Sequence, residues 1–129
     1  MRQPTLKFAS KPKRKRPEQR LQQTIVSYFH VGRKPRAMLL SIVNEGKRGF
    51  IDGSNLKKAG MRVGAPDLCF TIEGKTHFLE VKAAGGKQSP AQIVFEAECK
   101  QCGIPYIVTD NIDHAIRTMQ AWGAVKVMR

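Results

Sequence analysis

The strongest constraint on this chain lies between Gly64 and Gln92, in the stretch GAPDLCFTIEGKTHFLEVKAAGGKQSPAQ. Leu68, Phe70 and Ile72 alternate against Cys69 and Thr71, and Leu79 and Val81 supply a matching apolar face. Between the two runs sits Glu73-Gly74, a two-residue connection whose glycine can take positive φ. That turn pairs Ile72 with Lys75, and counting outward along the ladder sets Asp67 directly opposite Glu80. Opposed residues on one face have Cβ atoms about 4.5–5.5 Å apart. Lys82, two residues past Glu80, points to the same side. The hairpin therefore gathers two carboxylates and an amine on one patch. Paired carboxylates repel unless a cation lies between them, and hard divalent ions such as Mg2+ take oxygen ligands. The plainer account of the same residues is a solvated Glu80–Lys82 ion pair on a sheet edge, which is worth little.

Charge narrows the partners. The 129 residues carry a net charge of +13. Residues 1–16 hold seven Lys/Arg and no acid, and residues 33–62 hold eight against Glu45 and Asp52. The remaining stretches balance, so the excess is confined to an N-terminal arm and one internal segment. Segregated Lys/Arg suits a polyanion, because neutralising phosphates releases their counterions. The arm also carries two prolines and reads as disordered. Its KPKRKR run fits both a nuclear localisation signal and a phosphate-tracking arm. At this length residues 17–129 form one domain with a real core. Three cysteines, an odd number, suit a reducing compartment. The basic start is not followed by an apolar signal-peptide core, and the run Met38 to Val43 is too short to span a bilayer. A soluble intracellular protein, cytoplasmic or nuclear, with no membrane association is expected.

The order of elements follows from local signals. Pro17 suits the first turn of a helix, and Leu21, Ile25, Val26 and Phe29 keep helical spacing to about His30, with Gly32 and Pro35 beyond. Glu18 in that first turn complements the helix dipole or joins the site, with equal weight. Ala37 to Val43 is a continuous apolar run and reads as a buried central strand. Asn44 to Gly49 is a basic, glycine-punctuated loop, and Ser54 caps a short helix over Asn55 to Ala59, closed by Gly60. Gly60 and Gly64 signal close approach of a backbone, a ligand's or the chain's own, or else a flexible loop.

After the hairpin, Ser89-Pro90-Ala91-Gln92 has the form of a helix start, with Gln92 in a capping box, and the helix ends at Gly103. The chance that Gln92 only caps is about equal to the chance that it serves the site. Cys99-x-x-Cys102 falls inside this helix with no second Cys/His pair nearby, so packing is expected rather than zinc. His30, His77 and His114 show no ligand spacing. Ile104 to Thr109 is β-rich, Asp110 or Asn111 caps a last amphipathic helix to Trp122, and Val125 to Met128 can add a terminal strand. The expected fold is α/β: a mixed central β-sheet flanked by helices.

Pro66-Asp67 followed by Glu80-Val81-Lys82 resembles the PD-(D/E)XK nuclease superfamily, with its restriction-endonuclease-like core. Further features narrow the resemblance to the free-standing VRR-NUC (virus-type replication-repair nuclease) type. These are Glu18 and Gln22 in the first helix, Asn44-Glu45-Gly46, Gly64-Ala65-Pro66-Asp67, and the glycine loop leading from Gly85 into Ser89-Pro90-Ala91-Gln92. The resemblance spans about residues 17–122, and the whole ordered set carries it.

It implies a Mg2+- or Mn2+-dependent endodeoxyribonuclease. Asp67 and Glu80 would hold the metal, with the carbonyl of Val81 and with Glu18 completing the set. Lys82 would orient the attacking water, and Gln92 would stand on the phosphate side. Members of this type resemble homodimers that cut branched DNA, including four-way (Holliday) junctions, and a two-fold dimer suits paired incision. Lys47, Arg48, Lys57, Lys58, Arg62 and Lys87 would then grip the duplex. The competing readings are a non-catalytic basic nucleic-acid-binding protein and a sequence-specific restriction-type nuclease.

Deleting residues 1–16 is expected to weaken DNA binding and to flatten the dependence of log K on log salt. An unchanged slope in a fluorescence-anisotropy titration would remove the arm from the interface.

Overall fold

The computed structural model describes residues 16–43 and 57–127. Helix α1 spans Arg16–Gly32, beginning one residue before the expected start, so Arg16 belongs to the helix and not to the arm. Four strands follow, β1 (Ala37–Ser41), β2 (Leu68–Ile72), β3 (Lys75–Val81) and β4 (Tyr106–Thr109). Helix α2 (Pro90–Gln101) connects β3 to β4, and α3 (Ile112–Trp122) closes the series. The sheet order is β1-β2-β3-β4; the first two pairings are antiparallel and β3 runs parallel to β4. This is the mixed, helix-flanked α/β sheet that the sequence predicts.

The hairpin turn sets the register. Glu73 and Gly74 both have positive φ, 49° and 81°, as a two-residue turn matched to strand twist requires. Ile72 pairs with Lys75 and Leu68 with Leu79, so one more step outward brings Asp67 across from Glu80. At the turn end of β1, Arg36 accepts a backbone bond from Glu73 (2.9 Å) and returns a side-chain ion pair (3.0 Å).

Alternation then sorts the two faces of the sheet. Leu68, Phe70, Leu79 and Val81 are buried together with Ile25 and Phe29 of α1 and Ala115 and Met119 of α3. Phe70 sits edge-on to both Phe29 and Trp122, with centroids 5.7 Å apart in each case. On the opposite face Phe78 meets Phe95 of α2 at 5.5 Å. Asn111 caps α3 through a bond from His114 N (2.8 Å), and Gly123 ends that helix at φ 82°. Cys99 is buried and Cys102 exposed, and both are free thiols.

Several sequence expectations need correction. β1 is not a buried central strand. It is the outer strand of the described sheet, it stops at Ser41, and Met38 and Leu40 remain 59% and 54% exposed. The apolar run reports only hydrophobicity; α2 covers the β3–β4 half of that face, so the β1 half has no helix over it among the described residues. The expected terminal strand is reduced to one bridge between Val125 and Arg33, and residues 128–129 lie outside the described set. The arm to residue 15, the Asn44–Gly49 loop and the first half of the Asn55–Ala59 helix also lie outside it, with Lys57 and Lys58 helical. No helix among the described residues is long and apolar enough to cross a membrane.

Phe70→Ala is expected to cost about 3–5 kcal/mol of unfolding free energy in urea, as a buried large-to-small change. Leu40→Ser on the open half of the sheet is expected to stay within about 0.5 kcal/mol of wild type. A comparable loss at both positions would mean that β1 is covered after all.

Candidate functional site

The two carboxylates of the hairpin sit where its register puts them. Asp67 precedes β2, its carbonyl accepting from Ile42 N at 2.8 Å. Its side chain turns inward, and Oδ2 accepts a hydrogen bond from the backbone N–H of Val81 at 2.8 Å. Asp67 is thereby fixed against the strand that carries Glu80 and Lys82.

Glu80 is the most buried charged side chain of the set, with 2% of its surface exposed. Gln92 Nε2 donates to its Oε2 at 2.7 Å, and Lys82 Nζ stands 3.3 Å from the same oxygen. The Lys82 side chain is only 14% exposed. A solvated edge pair is therefore ruled out. Burying charges costs several kcal/mol each, and such a pair is poor value for stability alone. Its retention in a desolvated corner beside a second carboxylate is the pattern expected of a functional group.

Gln92 forms the capping box and also reaches Glu80. Its Oε1 accepts from Ser89 N (2.8 Å) while its backbone N–H donates to Ser89 Oγ (3.2 Å). That leaves its Nε2 for Glu80. The cap aims the amide: α2 begins at Pro90, and its first turn delivers the donor to the carboxylate.

Glu18 approaches from α1, where Oε1 accepts from Ala83 N at 3.3 Å, one residue beyond Lys82. It thus lies at the same end of β3 while keeping its place in the first helical turn. Among the described residues no three His, Cys, Asp or Glu side chains form a ready metal cluster. Asp67 and Glu80, opposed across the hairpin, carry oxygen donors of the kind a hard divalent ion takes, and Glu18 is not gathered with them into a three-carboxylate group. Val81 packs its side chain in the core on the other face, while its backbone N–H holds Asp67.

Of Gly60 and Gly64, Gly64 approaches protein backbone, while a Cβ at Gly60 would meet nothing within 4 Å. A Cβ on Gly64 (φ 83°) would lie 2.4 Å from Ala91 C and 2.7 Å from Gln92 N, so glycine is required for α2 to dock against the Asp67 approach. Gly85 (φ 77°) and Gly86 form a tight turn closed by Gly86 N to Ala83 O at 2.8 Å. Of the expected DNA-gripping residues, Lys57, Lys58 and Lys87 are exposed, and Lys47 and Arg48 lie outside the described residues. Arg62 is also exposed, and it pairs with Glu98 at 2.6 Å.

Sequence reasoning did not single out Tyr106. It lies on the strand next to β3, paired with Phe78, and its hydroxyl is buried. Burial, and then the charge of Glu80, push its phenol above the ordinary range. Only the β3–β4 pairing reveals this proximity; no local signal announces it.

The comparisons agree with this architecture. The VRR-NUC domain pattern matches residues 7–110. A solved structure described as a VRR_NUC domain protein superposes with a TM-score of 0.67 at 16% identity, covering 88% of this chain and 99% of its own. A second, described as a VRR_NUC domain, gives a TM-score of 0.56 at 21% identity, covering 81% and 95%. No curated protein matches significantly. With the pattern covering most of its length and the same fold in both solved structures, the chain belongs to the VRR-NUC nuclease family.

Proposed function

We propose that this protein is a metal-dependent, structure-selective DNA endonuclease that hydrolyses phosphodiester bonds in branched DNA such as four-way junctions, acting as a homodimer. The observation that carries the reading is the buried Glu80–Lys82 pair set opposite Asp67 in a strongly basic chain.

A Mg2+ or Mn2+ ion held by Asp67, Glu80 and the carbonyl of Val81 would supply a bound water of lowered pKa and screen charge developing on the phosphate. The chain's own residues do the rest. Val81 N–H holds the Asp67 carboxylate in place. Gln92 fixes the rotation of Glu80. Lys82, tethered to Glu80 at 3.3 Å, orients the attacking water and offsets negative charge without needing to lose its proton. Glu18, at the same end of β3, would add negative charge that favours a bound cation. Lys57, Lys58 and Lys87, with Lys47, Arg48 and the N-terminal arm, supply phosphate affinity. Two copies related by a two-fold axis would place one such site on each of two opposed strands.

Cleavage of synthetic four-way junction, flap and linear duplex in Mg2+ or Mn2+ tests the reading. Asp67→Ala and Glu80→Ala should bind junctions but not cut them. Lys82→Met should slow cleavage by about 10²–10⁴-fold, and Gln92→Ala by about 10–100-fold. Full activity in both carboxylate variants would falsify the nuclease reading and favour a non-catalytic DNA-binding protein. A defined cut sequence on linear duplex would instead indicate a restriction-type enzyme.

A further inference from the structure

The sequence marks Arg62 as one more phosphate contact, but its surroundings assign it different work. Its Nη2 lies 2.6 Å from Glu98 Oε2, and its guanidinium carbon stands 5.0 Å from the centroid of the Phe95 ring. Phe95 and Glu98 are both on α2, one and two turns after Gln92. A planar guanidinium held by a carboxylate and an aromatic face is oriented in a way that an exposed lysine is not.

Residues 62–67 are therefore fastened at four successive points. Arg62 grips the middle of α2. Gly64 packs on the backbone of Ala91 and Gln92 so closely that no side chain fits. Pro66 is fully buried, and Asp67 then bonds to Val81 N. The same helix completes the circuit: Phe95 meets Phe78 of β3 edge-on (5.5 Å), and Gln92 donates to Glu80 on that strand. Asp67 and Glu80 approach from different segments; α2 holds Glu80 through Gln92 and the approach to Asp67 through Arg62 and Gly64.

The geometry points to Arg62, with Glu98 and Phe95, as a positioning clamp that fixes the separation of Asp67 and Glu80, rather than as a DNA contact. An exposed ion pair contributes little to stability by itself; its effect here is on geometry, and small displacements at a reacting center cost large factors in rate. This rests on the proposed nuclease activity for its rate readout and on the two carboxylates alone for its metal readout.

The test compares wild type, Arg62→Ala and Glu98→Gln in the full chain. Single-turnover junction cleavage is followed across a Mn2+ titration, and junction affinity is measured at several salt concentrations. Mn2+ binding in the absence of DNA is measured by EPR. As a clamp, both variants cut more slowly, on the order of 10–100-fold, and need more Mn2+ for half-maximal rate and for binding, while junction affinity and its salt slope stay at wild type. Glu98→Gln is the discriminating variant. It removes a negative charge, so it cannot weaken a phosphate contact, and its isosteric, exposed site leaves folding intact. If Glu98→Gln keeps wild-type rate and Mn2+ affinity, or Arg62→Ala lowers the salt slope by about one, the clamp is overturned in favour of DNA contact. A wild type that cuts no substrate would sink the nuclease reading instead, and the Mn2+ affinities of the two variants would still decide the clamp.

Discussion

Glu80 is the residue whose burial the surrounding structure has to accommodate. A carboxylate removed from water loses several kcal/mol of solvation, so it is tolerated only where donors are fixed in advance. Here the donors come from two directions. Lys82 is two residues along the same strand, and Gln92 sits on the first turn of the helix that crosses the sheet. The capping box of α2, which in most helices only satisfies orphan backbone amides, here also holds an amide group rigid so that its remaining N–H meets Glu80.

The second requirement is that Asp67 face Glu80, and this depends on backbone geometry at a distance. Glu73 and Gly74 adopt the left-handed conformations that fix a two-residue turn. A slip of one residue would send every side chain of β2 to the wrong face. It would expose Leu68 and Phe70 and carry Asp67 away from Glu80. Core packing and site assembly are therefore enforced by one register. Phe29, Phe70 and Trp122 stabilise the ladder on one face, and the ladder delivers the two carboxylates on the other.

Much of this was legible in the amino-acid order because its causes are local. The turn, the period-two alternation, the Ser89–Gln92 cap and the Gly123 stop each depend on a few adjacent residues, and all four appear in the structure. What failed depends on neighbours distant in sequence. The apolar run after Ala37 looked like a central strand, yet α2 covers only the β3–β4 half of that face, leaving Met38 and Leu40 exposed. The clustered glycines suggested close approach, but which partner approached Gly64 was settled by the docking of α2.

The amino-acid sequence by itself determined the family, the hairpin register and hence the opposition of Asp67 and Glu80, because turn chemistry and side-chain alternation act over one or two residues. Only the tertiary structure decided that the Glu80–Lys82 pair is buried and not a solvated edge contact, that Gln92 bonds both Ser89 and Glu80, and that Arg62 pairs with Glu98. Burial and partner choice are set by which surfaces the helices cover. That depends on packing between segments as far apart as Glu18 and Ala83 or Arg62 and Glu98, and no short-range pattern encodes it.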